Sequence, residues 1–207
     1  MVRKHSMLLA IMVSVLLLII ATLYYPGGSQ LDKNSIGYDW KNNYISNLFN
    51  KTAISGSDNP SRYWAVFGML FLSISFAFFF ADFSKKIANK GAARVIKLFG
   101  IAAMIFAFLT VTPYHDIMVT ISGTLVLVSM FYVTVFLFKS KLHFLKVLSV
   151  VCLLVFYCCD YIYYTGTYLT ILPIMQKVCF LTIVIWMLLL QYFTTINDFQ
   201  PKRKLLR

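Results

Sequence analysis

The chain alternates six long apolar stretches with shorter polar connections. Each stretch runs for about 20 residues with few charged side chains, which is the length an α-helix needs to cross the hydrocarbon core of a bilayer. Helix breakers support the same division, because Pro26, Gly27 and Gly28 follow the first stretch and Pro113 closes the third. The pattern predicts transmembrane helices over 6–25, 63–81, 95–113, 117–138, 142–164 and 171–193.

Composition supports a membrane protein and excludes an ordinary soluble domain. Of the 207 residues, 60% are hydrophobic and only 13% are charged, whereas soluble domains carry about 25% charged residues. We therefore expect an all-α, polytopic integral membrane protein with a single six-span domain over residues 1–207. The first stretch ends in ATLYYPGG, which lacks a small-x-small cleavage site, so it is predicted to be a retained signal-anchor helix.

The net charge of +12 is distributed unevenly between the two ends of the predicted helices. Fourteen of the nineteen Lys and Arg residues fall at the N-terminus, in the second and fourth connections and in the C-terminal tail, and five of the seven acidic residues fall at the other end. By the positive-inside rule, both termini are predicted to be cytoplasmic in a multi-pass protein of the plasma membrane, or of the inner membrane in a bacterium. The basic residues form no single surface, so no nucleic acid partner is predicted.

The first connection, residues 26–62, is unusually long and polar for a link between two helices. Connections of this length are typically functional or disordered. Disorder is disfavoured because the segment carries apolar anchors, including Trp40, Tyr44, Leu48 and Phe49. We expect a long folded outer loop that lies over the ends of the helices, with its aromatic side chains at the depth of the membrane interface.

Polar residues at the same predicted end suggest a binding site for membrane lipids. Tyr157, Asp160, Tyr161 and Tyr164 follow helical spacing and form one stripe. With Arg62 and Lys177, this stripe is the first candidate for binding lipid head groups, since tyrosine, arginine and lysine donate to phosphate and Asp160 accepts from an amine or a hydroxyl. The alternatives are that Asp160 and Lys177 pair with each other or extend to the membrane interface, and that the tyrosines form a plain aromatic belt.

A second interpretation makes the protein an intramembrane hydrolase or lipid-modifying enzyme. Ser46 would be the nucleophile, His115 the general base, and Asp116 or Asp160 the carboxylate that orients the imidazole. No G-x-S-x-G motif is present. The alternative roles are a helix or turn cap for Ser46 and a solvated turn for His115 and Asp116.

Other classes receive less support from the sequence. A transporter usually has charged groups near the middle of the membrane, where these stretches carry Leu, Ile, Val and Phe. Small residues such as Gly68, Ser73, Ser75 and Ala77 would allow a homo-oligomer or a partner membrane protein, and with it an accessory role. Neither a cofactor nor a metal is predicted, because the four cysteines lie in apolar stretches and His115 has too few ligands near it.

Two short motifs point to a known family. YISNLFNKTAISGSDNPSRYWAVFGMLF and the later GIAAMIFAFLTVTPYHD resemble the membrane family catalogued as domain of unknown function 998. A looser likeness exists to the Frag/DRAM/Sfk membrane family, several of whose members are linked to lipid remodelling or lipid asymmetry. The resemblance covers roughly residues 1–195 and implies the span layout. Only Ser46, Leu48, Pro113 and His115 match the family pattern by position, and Asn47 stands where that family often has an acid.

Overall fold

The computed structural model describes residues 2–200 and contains six long α-helices. All six are long and apolar enough to cross a membrane, which is the architecture of a multi-pass integral membrane protein. No regular β-strand occurs in the described residues. The helices are α1 (Val2–Leu23), α2 (Ser61–Ser84), α3 (Lys90–Leu109), α4 (His115–Phe138), α5 (His143–Thr165) and α6 (Leu172–Phe193).

The ends of α3 differ most from the predicted span. The sequence pattern predicted 95–113, but the helix covers Lys90–Leu109. It begins early because the side chain of Asn89 accepts a hydrogen bond from the amide of Ala92 at 2.9 Å, which caps the first turn. It ends early because proline disfavours helical backbone in the residue before it, so the chain leaves the helix ahead of Pro113.

The helices pack in a ring, with each one beside its sequence neighbour. α6 closes the ring by returning to α1 and α2. The centre of the bundle is aromatic: Phe79, Phe80, Phe83 and Trp186 are fully buried. The Phe79 and Trp186 ring centroids lie 5.9 Å apart. Aromatic pairs of this kind contribute about 0.5–1.5 kcal/mol beyond the area they bury.

Small residues let neighbouring helices approach closely. A side chain on Gly100 of α3 would overlap the ring of Phe80 on α2. The Ser14 hydroxyl of α1 donates to the Gly68 carbonyl of α2 at 2.7 Å. Gly68 is buried at this contact, and Ser73 and Ser75 of α2 are buried as well.

The connection between α1 and α2, residues 24–60, is folded and is called the cap below. It contains two isolated β-bridges and a short 3-10 helix, Ile45–Phe49. Leu48 and Phe49 are buried against Leu18 and Ala65 in a second, smaller core. The cap backbone is tight at Gly28, where φ is +82° and a side chain would overlap the amide of Ser55.

Asparagine side chains replace regular secondary structure inside the cap. Asn43 is fully buried; its amide nitrogen donates to the Gly28 carbonyl at 2.8 Å, and its oxygen accepts from the Asp39 amide at 2.9 Å. The Asn47 oxygen accepts from the Tyr44 amide at 2.7 Å. Asn59 donates to the Asn50 carbonyl at 2.8 Å. These bonds satisfy backbone groups that have no ladder partner, which explains why the segment is polar.

Candidate functional site: a cavity beneath the cap

A cavity runs from the cap into the helix bundle as three adjoining compartments. The mouth has a volume of about 350 Å³, the middle compartment about 270 Å³ and the deep compartment about 180 Å³. The mouth and the middle share Ser46, His115 and Tyr163, and the middle and the deep share Val119 and Asp160. Ligand pockets typically measure about 300–1,000 Å³, so the compartments together are large enough for a small amphiphile.

The mouth is the polar part of the cavity. Its polar walls come from the cap and the ends of three helices: Tyr44, Ser46, Asn50, His115, Asp116, Tyr163 and Gln176. The Tyr163 hydroxyl donates to Oδ1 of Asp116 at 2.8 Å. Nδ1 of His115 lies 3.3 Å from the same oxygen. The carboxylate therefore holds both the tyrosine of α5 and the imidazole at the start of α4.

The predicted nucleophile and base share this mouth without contacting each other. Ser46 and His115 line both the mouth and the middle compartment. In the described residues, however, the Ser46 hydroxyl makes no hydrogen bond to His115. The structure thus brings Ser46, His115 and Asp116 to one compartment, but it does not form the Ser–His bond that a catalytic triad requires.

The middle and deep compartments are mostly apolar. Their walls include Leu18, Phe49, Met69, Leu72, Phe180 and Ile183 in the middle, and Phe76, Met104, Val126, Phe156 and Met187 deeper in. Asp160 of α5 lies where the two compartments adjoin and faces Gly123 of α4. A Cβ atom at Gly123 would lie 3.4 Å from Oδ2 of Asp160, at ordinary van der Waals contact, so the carboxyl group lies directly beside this face of α4.

Lys177 does not pair with Asp160, and the predicted ion pair is wrong. Its Nζ donates to the Asn43 carbonyl of the cap at 2.7 Å and to the Pro173 carbonyl at 2.9 Å. It also lies 5.5 Å from the centre of the Tyr38 ring. The Lys177 ammonium group therefore binds a cap carbonyl, a carbonyl of its own helix and an aromatic ring of the cap. These contacts join α6 to the cap.

A second bond strengthens the same attachment. Oε1 of Gln176 accepts from the Ile45 amide at 3.3 Å. Nearby, the side chain of Asn42 donates to Asp39 at 2.7 Å and lowers the pKa of that carboxyl group, and Lys177 lowers it further. Burial raises the pKa of Tyr38 well above its ordinary value. The cap is thus a polar network joined to α6 at adjacent residues.

The other predicted binding residues lie outside the cavity. Tyr157, Tyr161 and Tyr164 are 59%, 51% and 51% exposed on the outer surface of α5, which is the arrangement of an aromatic belt. Arg62 in the first turn of α2 lines none of the three compartments. Of the four residues in the predicted stripe, only Asp160 lines the cavity. The three tyrosines point away from it, toward the surface of the bundle.

The sequence pattern missed several residues that the cavity uses. Tyr163, rather than the neighbouring tyrosines, reaches the mouth. Its face of α5 continues through Ser149, Cys152, Phe156 and Cys159 at intervals of three or four residues, a stripe of mostly small or polar side chains that marks the inward face. The Cys159 and Cys179 thiols face each other across α5 and α6.

Among residues 2–200, no three His, Cys, Asp or Glu side chains group as a metal site.

The charged side chains that line the cavity are mostly acidic. Asp116 and Asp160 line it, and within residues 2–200 the imidazole of His115 is the one basic group, since none of the lysines and arginines in that range lines any of the three compartments. No family model matches this chain, and no curated protein or solved structure shows significant similarity to it.

Proposed function

We propose that this protein binds membrane lipids in the cavity beneath the cap, with the polar end of the lipid toward the mouth and its hydrocarbon chain in the deep compartment. The observation that carries the proposal is the gradient of polarity, from Ser46, His115, Asp116 and Gln176 at the mouth to Phe76, Val126 and Met187 inside. Amphiphile sites need this combination of apolar walls and a few oriented polar groups.

The proposal includes an orientation in the membrane. Both termini are cytoplasmic and the cap lies at the outer face of the plasma membrane, or of the inner membrane in a bacterium. The distribution of Lys and Arg supports this orientation, since Lys85, Lys90, Arg94, Lys139 and Lys141 fall at the end of the bundle opposite the cap. The cavity mouth would then take head groups from the outer leaflet.

Photochemical capture tests the proposal. A small diazirine amino acid at Val119 places the reactive group where the middle and deep compartments adjoin, and the same group at Val147, which is 65% exposed on α5, samples the surrounding bilayer. In native membranes, we expect Val119 to capture one lipid class and Val147 to capture the average membrane mixture. Capture of the same mixture at both positions, or of no lipid at Val119, would contradict the proposal.

A lipid hydrolase remains the second candidate, because Nδ1 of His115 lies beside Asp116 and leaves Nε2 available for Ser46 in the same compartment. The tests are labelling by a fluorophosphonate probe and release of fatty acid from phospholipid. This candidate predicts that the native protein is labelled and that Ser46→Ala and His115→Gln both abolish labelling. An unlabelled native protein in an intact bilayer excludes it.

A further inference from the structure

Two polar groups inside the cavity lack hydrogen-bond donors. Within the described residues, no N–H or O–H group donates to the Asp160 carboxyl group, which lies against Gly123 of α4 and lines the cavity. Ser73 lines the deep compartment and is only 5% exposed, and its hydroxyl has no partner. By contrast, the Ser122 hydroxyl in the same compartment donates to the Val119 carbonyl at 3.1 Å. Unpaired polar groups in such an apolar setting are costly and usually mark a function.

The negative charge of Asp160 in the cavity favours a ligand with a cationic group over one with an anionic group. An anionic group next to Asp160 would meet a like charge, and Lys177 of α6 is not available to offset it, because it is held by carbonyls of the cap and of its own helix. A primary ammonium group instead carries three donors and no acceptor. It therefore complements both a carboxyl group and a hydroxyl oxygen that have no donor of their own.

We propose that the amphiphile bound in this cavity carries a primary ammonium group at the boundary between its polar end and its hydrocarbon chain, with Asp160 as the counter-ion and the Ser73 hydroxyl as a second acceptor. This inference rests on the proposed function and names the class of lipid. The remaining polar part of the ligand lies in the mouth, and the chain follows the apolar walls of the deep compartment. A charge-assisted bond at Asp160 then selects amines over alcohols of equal length.

The test is competition against a photoreactive dodecylamine that carries a diazirine. The full-length protein is placed in phosphatidylcholine nanodiscs, and labelled peptides are mapped with dodecylamine, dodecanol or dodecanoate as competitors. We expect dodecylamine to compete at about tenfold lower concentration than dodecanol or better, and dodecanoate to compete least. A short-chain ethanolamine phospholipid, whose ammonium group lies at the tip of the head group rather than beside the chain, is run alongside. We expect it to compete less well than dodecylamine, and stronger competition than dodecylamine would overturn the placement of the ammonium group at the boundary with the chain.

Three variants separate an ammonium site from general lipid binding. Asp160→Asn should remove the preference for the amine and leave competition by dodecanol unchanged, while Asp58→Asn on the exposed surface of the cap should change neither. Ser73→Ala removes a buried hydroxyl that has no partner, so the unliganded protein should keep its stability or gain some. The same substitution should weaken competition by the amine several-fold.

The outcomes distinguish this inference from the proposed function. Equal competition by amine and alcohol in the native protein, unchanged in Asp160→Asn, overturns the ammonium site but leaves lipid binding in place. Protection by sodium chloride alone, without a preference for the amine, makes Asp160 an inorganic-cation site and also overturns it. Labelling that none of the amphiphiles reduces contradicts lipid binding in the cavity as well.

Discussion

At the scale of single residues, the cap is held by buried amide side chains rather than by regular hydrogen-bond ladders. Asn43 is the centre of this network, because its side chain bonds Gly28 and Asp39 while its backbone carbonyl accepts from Lys177 of α6. A single side chain thus satisfies two distant parts of the cap, and the same residue joins the cap to the bundle. The long polar connection of the sequence is explained by this demand for side-chain hydrogen bonds.

Replacing Asn43 should loosen the cap. Asn43→Ala removes the side-chain hydrogen bonds to the Gly28 carbonyl and from the Asp39 amide, together with a longer one to Asn47 at 3.4 Å. The Gly28 carbonyl and the Asp39 amide lose these partners, at a cost of about 2–4 kcal/mol. Hydrogen exchange of cap peptides in nanodiscs measures the effect. Asn34→Ala is the matched control, because Asn34 is exposed and its side chain makes no hydrogen bond within residues 2–200. Equal exchange in the two variants would contradict the role given to Asn43.

The cap should also be sensitive to acid. The side chain of Asn42, together with the charge of Lys177, lowers the pKa of Asp39 below its ordinary value near 3.8. A depressed pKa contributes stability that is present above the ordinary value and is lost as the pH falls through the lowered one. Cap exchange, corrected for intrinsic rates, should therefore rise below about pH 4. Asp39→Asn should remove that step, whereas Asp58→Asn should retain it.

At the scale of elements, α5 and α6 are joined by a buried polar contact. The Trp186 indole nitrogen donates to the Ser149 hydroxyl at 2.6 Å, and the Ser149 hydroxyl in turn donates to the Leu145 carbonyl at 2.7 Å. The bond fixes a large, fully buried side chain below the cavity. It gives α5 one defined rotation, and that rotation directs Cys159, Asp160 and Tyr163 toward the cavity.

Removing this hydrogen bond should destabilise the pairing of the two helices. Ser149→Ala leaves the Trp186 N–H buried without an acceptor, at a cost of about 1–2 kcal/mol for an interhelical bond in a membrane. Unfolding in mixed micelles measures the loss. Thr182→Ala is the control, because Thr182 is only partly buried and its hydroxyl bonds only its own helix at Val178. A smaller effect for Ser149→Ala than for Thr182→Ala would contradict this account.

At the scale of the whole molecule, the proposed membrane orientation rests on the distribution of basic residues. We expect Ser57→Cys in the cap to react with an impermeant maleimide added outside intact cells, and Lys90→Cys at the start of α3 to react only after permeabilisation. Both positions are exposed. The unmodified chain supplies the background from its four native cysteines, all of which lie within α5 and α6. The reverse pattern would place the cap and the cavity mouth in the cytoplasm.

The sequence allowed prediction of the helices but only part of the site. Length and hydropathy are properties of each stretch alone, so six spanning helices and a structured cap could be predicted without knowing how they pack. Which face of a helix points inward depends on its neighbours. Tyr157, Tyr161 and Tyr164 follow the same spacing as Asp160, yet the packing of α5 exposes them and selects Tyr163 instead. The partners of Lys177 could not be predicted from the sequence, because they are backbone carbonyls, which every residue carries.

The most direct test of the account is native mass spectrometry of the protein released from its own membrane, combined with identification of any lipid it retains. We expect the native protein to retain one tightly held amphiphile per chain. Val119→Trp should lose it, because the larger side chain fills the point where the middle and deep compartments adjoin. We also expect Val147→Trp on the exposed surface of α5 to retain the amphiphile. A native protein without a retained amphiphile, or one whose amphiphile survives Val119→Trp, would contradict the central claim that the cavity is a lipid site.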